Sequence, residues 1–138
     1  GLRILVDTNV LLDYLLCRSP YDRAAEQIVV ACKQRRVSGC IAAHSISNMF
    51  FILRKVFSVG KDVNVVKHIE LFEVEEIDKA KILNALADET FSDFEDCLQK
   101  ECAAAFQADY IVTRNCADFK SSGTPCIEPA EFCKMLSE

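Results

Sequence analysis

The chain has 138 residues, 51% of them hydrophobic and 27% charged, with a formal net charge of −5. That length and balance predict one folded domain over residues 1–138 and exclude a disordered chain. No apolar run approaches the roughly 18 residues that a membrane span needs, and the acidic balance excludes nucleic-acid binding by bulk charge alone.

In chain order, Arg3 to Val6 is a short β-branched and leucine run that predicts a strand, ending abruptly in Asp7-Thr8-Asn9. The wider apolar start, Leu2 to Leu16, carries Arg3, Asp7 and Asp13 without a basic leader. It does not read as a signal peptide, and the expected location is the cytoplasm. Tyr21 to Arg35 has helical periodicity, with Ala24, Ala25, Ile28, Val29 and Cys32 on one face. Gly39 breaks it, and Cys40 to Ala43 predicts a second buried strand. Ser45 or Ser47 can cap a following helix that carries Met49, Phe50, Ile52, Leu53, Val56 and Phe57. Asp62 to Lys67 predicts a short helix and Glu70 to Val74 a third strand. Ile77 to Asp88 and Ser92 to Gln107 both read as helices. Tyr110 to Thr113 is the clearest strand, Cys126 and Ile127 form a fifth, and Pro129 suits the first turn of a terminal helix. Strands alternating with helices predict an α/β fold with a parallel sheet covered by helices.

The eight cysteines, at 17, 32, 40, 97, 102, 116, 126 and 133, include no Cys-x-x-Cys pair. Zinc sites use close ligand pairs, and only His44 and His68 are present to complete one. Reduced thiols packed as small hydrophobes are the expectation.

Ligands of open parallel sheets bind beyond the carboxyl ends of the strands. That rule singles out Asp7, Thr8 and Asn9 after the first strand, and Asn115 and Asp118 after the later one. Asp93 and Asp96 stand three apart near a helix start, so both project from one face. Carboxylates gathered in a crevice repel one another unless protonated or bridged by cations. Mg²⁺ suits such a site because it takes oxygen ligands and keeps water. Bound cations would also invert the local potential, so net acidity does not exclude a nuclease. Each residue has a plainer reading as well. Asp7 can cap a turn, Asp93 or Asp96 can offset a helix dipole, and Asp118 can close a turn. Ser47 reads more simply as a cap, His44 as structural, and Asp13 as a solvated helix residue. Cys116 adjoins the pocket without any group to activate it, and Arg114 can hold a phosphate or pair with a pocket carboxylate.

The run Ile4-Leu5-Val6-Asp7-Thr8-Asn9-Val10-Leu11-Leu12-Asp13 resembles the opening of a PIN domain. Asp93-Phe94-Glu95-Asp96-Cys97-Leu98-Gln99, then Ala108 to Asn115 and Asp118-Phe119, resembles the second half of that family. The resemblance implies a three-layer α/β/α sandwich with a central parallel sheet of about five strands. It also implies Mg²⁺- or Mn²⁺-dependent cleavage of RNA, commonly by a VapC-like toxin neutralised by a small antitoxin. Of the family's four acidic positions, the first matches Asp7 and the third Asp96, with Asp93 nearby. The fourth falls at Asn115, with Asp118 as a substitute, and the second departs, since Asn48 stands where glutamate is expected. An amide ligates through its oxygen but brings no charge and cannot act as a base. Asn9, Ser47 and Arg114 are then candidates for substrate contact, and Arg18, Arg54 or Lys55 for the RNA backbone. Family members often form homodimers, for which the apolar helix Met49 to Phe57 offers an interface. The alternative is a degenerate PIN domain that binds RNA or protein without cleaving.

Overall fold

A computed structural model describes residues 1–57 and 67–138. The helix expected at 62–67 lies outside the described residues but for Lys67. The described elements are β1 (Leu2–Val6), α1 (Thr8–Leu15), α2 (Asp22–Lys33), β2 (Val37–Ala42), α3 (Ala43–Phe57), β3 (Glu73–Glu75), α4 (Lys79–Ala87), α5 (Phe94–Ala105), β4 (Tyr110–Val112), a 3₁₀ turn (Cys116–Phe119), β5 (Cys126–Ile127) and α6 (Pro129–Leu136).

All five strands are parallel, in the order β3-β2-β1-β4-β5. Chain order runs outward from β1 to β3 on one side and then jumps to β4 on the other. The topological switch point, where open α/β sheets form their crevice, is therefore between β1 and β4.

Strand alternation builds the two outer layers. Ile4, Val6, Ile41 and Val112 face a core completed by Val10, Leu11, Ile28, Met49 and Phe132, from α1, α2, α3 and α6. Leu5, Cys40, Ala42 and Ile111 face the opposite way, against Cys102, Ala103 and Phe106. α4 docks on that second side through Ala85, Cys97 and Leu98. The three-layer α/β/α arrangement follows, with β1 at its centre. Each fully buried Ile, Leu or Val contributes about 1.5–3 kcal/mol, which ranks this central strand among the chief contributors to stability.

Gly39 does not break α2 but lies inside β2. A Cβ there would sit 2.8 Å from the Phe72 ring and 3.1 Å from Cys32 Sγ, so the strand needs glycine for close approach. α2 stops instead at Gln34, with Arg35 in the left-handed region (φ 59°) and Arg36 N–H donating to Ala31 O. The third strand is shorter and later than expected. All eight cysteines are free, and Cys32, Cys40, Cys97 and Cys102 are buried. Among the described residues no helix is long and apolar enough to cross a membrane.

Candidate functional site

Asp7 ends β1 and caps α1, so its two plausible roles coincide. Its Oδ1 accepts from Asn9 N–H at 3.1 Å, the bond an N-cap makes. Its Oδ2 accepts from the Thr113 hydroxyl at 2.8 Å, and Thr113 Oγ1 in turn accepts from Asn115 N–H at 3.1 Å. Asp7 and Thr113 are both buried, and β1 and β4 are adjacent with Val6 paired to Val112. The carboxylate is thus fixed across the switch point. Burial raises its pKa, opposed by the bonds from Asn9 and Thr113 and by the charge of Arg114.

Asp96 enters from α5. Asp93 is the N-cap of that helix, its Oδ1 accepting from Asp96 N–H at 2.9 Å. Asp96 is half-buried, and its carboxyl is pushed up to about 6, first by burial and then by the charges of Asp93, Asp118, Asp7 and Glu95. Five carboxylates, Glu95 included, thus share one field, and of these Asp7, Glu95 and Asp96 line the pocket between the strand ends and α5. Asn9, Asn48 and Asn115 line it too, whereas Asp93, Asp118, Ser47 and Arg114 lie outside its lining. Ser47 is in the first turns of α3, one residue before Asn48, and is exposed.

Three further residues of the pocket, Glu95, Gln99 and His44, had no functional reading from sequence. Gln99 stands three residues after Asp96 on α5, and its buried Oε1 has no hydrogen-bond partner. His44 stands two residues after the end of β2. Its Nε2 lies 3.0 Å from Glu95 O, and since a carbonyl only accepts, that nitrogen carries the hydrogen. Burial holds the ring below the usual imidazole range. Its Nδ1 is therefore a buried acceptor, also without a partner. The signals were present: the i, i+3 spacing from Asp96, and the carboxyl end of β2.

Asp13 corrects the expectation of a solvated residue. It is fully buried, accepting from Arg114 Nε at 2.8 Å and Arg114 Nη2 at 3.1 Å, with Arg18 Nη1 at 3.5 Å. Arg114 therefore pairs with Asp13 rather than with a pocket carboxylate, and its guanidinium stacks 4.0 Å from the Tyr21 ring centroid. Arg18 and Arg114 thus meet at the same buried carboxylate. Cys116, its thiol pushed up by burial, donates to Thr113 O and is no activated nucleophile.

Among the described residues no group of three His, Cys, Asp or Glu side chains is arranged to hold a metal ion. Mg²⁺ does not need one, since it is commonly held by one or two carboxylates together with water and substrate phosphate. Three carboxylate residues, Asp7, Glu95 and Asp96, and three asparagines supply hard oxygen, while the orphaned acceptors Gln99 Oε1 and His44 Nδ1 call for donors. A hydrated cation answers both demands. The donor set fits a divalent ion of the Mg²⁺ or Mn²⁺ type. A larger cavity, of 530 Å³, opens by Arg3, Gly39 and Phe106 at the amino end of the sheet, and none of the candidate residues lines it.

This crevice, on this sheet order, is that of an α/β protein with an acidic site at its switch point. The family model for the PIN domain matches residues 3–117, and the chain belongs to the PIN domain family. Its fold is similar to that of a toxin–antitoxin complex from Klebsiella pneumoniae, at 22% identity and TM-score 0.67 over 91% of this chain and 97% of that one. FitAB bound to an IR36 DNA fragment is similar at 15% identity and TM-score 0.65, over 91% of this chain and 94% of that one. VapBC2 from Rickettsia felis, bound to a promoter DNA fragment, is similar at 14% identity and TM-score 0.58, over 92% and 98%. At such identities the likeness speaks for the fold. No curated protein matches the chain.

Proposed function

We propose that this chain is a single-domain, Mg²⁺- or Mn²⁺-dependent ribonuclease that hydrolyses RNA phosphodiester bonds, acting in the cytoplasm as the toxin of a toxin–antitoxin pair. The observation that carries the reading is the convergence of Asp7 and Asp96 with two unpartnered acceptors on one pocket at the switch point. Membership of the PIN family supports nuclease chemistry, and the toxin–antitoxin complex among the similar folds supports an antitoxin partner.

Asp7 and Asp96 are the principal ligands. Asn48 and Asn115 assist through amide oxygens, and Asp93 and Asp118 act through water or through their charge. Gln99 Oε1 and His44 Nδ1 accept hydrogen bonds from water held in the pocket. When bound, the ion activates water and offsets the charge that develops on phosphate. Arg54 and Lys55, exposed in the last turn of α3, are placed to meet the RNA backbone. Phe51 and Val56, 50% and 57% exposed on the same helix, are a surface for antitoxin or a second copy.

The amides at 48 and 115 favour one further reading, a PIN domain that binds RNA without cutting it. Cleavage of RNA with Mn²⁺ by the wild type, Asp7→Asn and Asp96→Asn separates the two. The nuclease reading expects both variants to fall at least about a hundredfold. Equal residual cleavage in all three would sink it, and RNA binding without cleavage would install the alternative.

A further inference from the structure

Asn115 lines two cavities. On one side is the carboxylate pocket. On the other is a cavity of 430 Å³ walled by Pro20, Tyr21, Arg114, Glu128 and Pro129, within the size range of small-ligand sites. Tyr21 is 44% exposed, and the Arg114 guanidinium is stacked on its ring at 4.0 Å. The stack is held from behind. Nε and Nη2 of Arg114 both donate to fully buried Asp13, which fixes the plane of the guanidinium.

We infer that this second cavity is a base-binding subsite, taking a nucleobase of single-stranded RNA whose neighbouring phosphate meets the divalent cation that Asp7 and Asp96 would hold. The inference rests on the ribonuclease reading and extends it.

Charge decides which part of a nucleotide belongs here. Arg114 is neutralised by Asp13 through two of its donors, so it is poorly disposed to grip phosphate. Glu128 on the same wall repels an anion. The cavity instead suits a neutral, flat group between a tyrosine–guanidinium stack and two proline rings. Single-stranded RNA is read in this way, by bases splayed onto aromatic rings and arginine planes. Continuity through Asn115 favours a nucleotide over a protein side chain. A chain whose phosphate lies in the first pocket must pass Asn115, and its next base then reaches the second.

The test uses the Asp7→Asn variant, in which asparagine still caps α1 while cleavage is blocked. A fluorescein-labelled ten-nucleotide single-stranded RNA is titrated in Mg²⁺ and followed by anisotropy. Adding Tyr21→Ala should weaken binding about 5- to 100-fold, the loss expected for one stacked base, while Tyr21→Phe should preserve it. A series of the same RNA with one abasic position moved along it should show a single position of comparable loss, measured on the Asp7→Asn protein without further substitution. At that position Tyr21→Ala should cost nothing more. Unchanged affinity on Tyr21→Ala, or an abasic series without such a position, overturns the subsite, as does a variant that loses only a protein partner. If the wild-type protein neither cleaves nor binds the RNA in Mg²⁺ or Mn²⁺, the ribonuclease reading itself fails, which is a different result.

Discussion

Thr113 donates its hydroxyl hydrogen to Asp7 Oδ2 at 2.8 Å while accepting from the Asn115 amide, so one buried side chain ties the ends of β1 and β4 together. Removing it with Thr113→Val keeps the shape but leaves Asp7 one bond short and raises its pKa further. Partners that orient a ligand in this way typically cost 10- to 100-fold in metal affinity when lost. Thr113→Val should therefore weaken Mg²⁺ binding, read by calorimetry, by about that factor, and Thr113→Ser should restore it. Equal affinity in all three proteins would show that Asp7 is positioned by its helix cap alone.

Asp13 and Arg114 make a separate prediction about stability. Removing one partner of a buried ion pair costs about 3–5 kcal/mol, because the other charge stays buried unpaired. Arg18 remains near Asp13 at 3.5 Å, so Arg114→Met should cost about 3 kcal/mol in urea unfolding. The double variant Asp13→Leu/Arg114→Met should lose less than the sum of the two single changes. A fully stable Arg114→Met would show that the buried pair contributes nothing net to folding.

Periodicity and strand ends made the layers of this fold legible, and the positions of Asp7 and Asp96 with them. The faces of α2, the run Tyr110 to Val112 and the β1 terminus needed only local pattern. What stayed hidden depends on contacts far apart in sequence. Gly39 reads as a helix break because glycine usually is one, yet its role is set by Phe72, 33 residues on, lying against β2. Helix ends at Arg35 and Gln107 use left-handed residues other than glycine, φ 59° and 57°, and so carry no stop signal. Asp13 looks solvated until Arg114, 101 residues away, is seen to bond it. Gln99 and His44 gain meaning only when a pocket forms around their unpartnered atoms.

Asp96, raised to about 6 from an ordinary 3.8, links stability to pH. Between those values the folded state holds a proton that the unfolded state has released, so stability without metal should fall as pH rises from 4 to 6. For a part-exposed carboxyl, screened by solvent, the effect is on the order of 1 kcal/mol, or roughly 2–4 °C in Tm for a chain of this size. Asp96→Asn should be flatter across that window and more stable than the wild type at pH 7. Saturating Mg²⁺ should reverse the wild-type trend, since the ion favours the ionised carboxylate. A variant with the wild-type slope would locate the linkage at another group.

Asn48 supplies the sharpest test of the acidic pocket. It lines the same cavity as Asp7 and Asp96 but contributes no charge. Asn48→Glu adds a further carboxylate to a site where repulsion already helps to lift Asp96, so the metal-free protein should lose stability and Asp96 should titrate higher still. With Mg²⁺ present the same charge becomes attractive, and affinity, which rises with the number of charged ligands, should increase about tenfold or more, roughly 1.4 kcal/mol. Opposite signs in the two conditions are what a cation site demands, and a capping or packing role for Asn48 would give one sign in both. If cleavage of RNA rises in step with affinity, charge at position 48 limits the natural protein. If affinity rises and cleavage does not, the amide serves the reaction as it stands, and the limit lies elsewhere in the pocket.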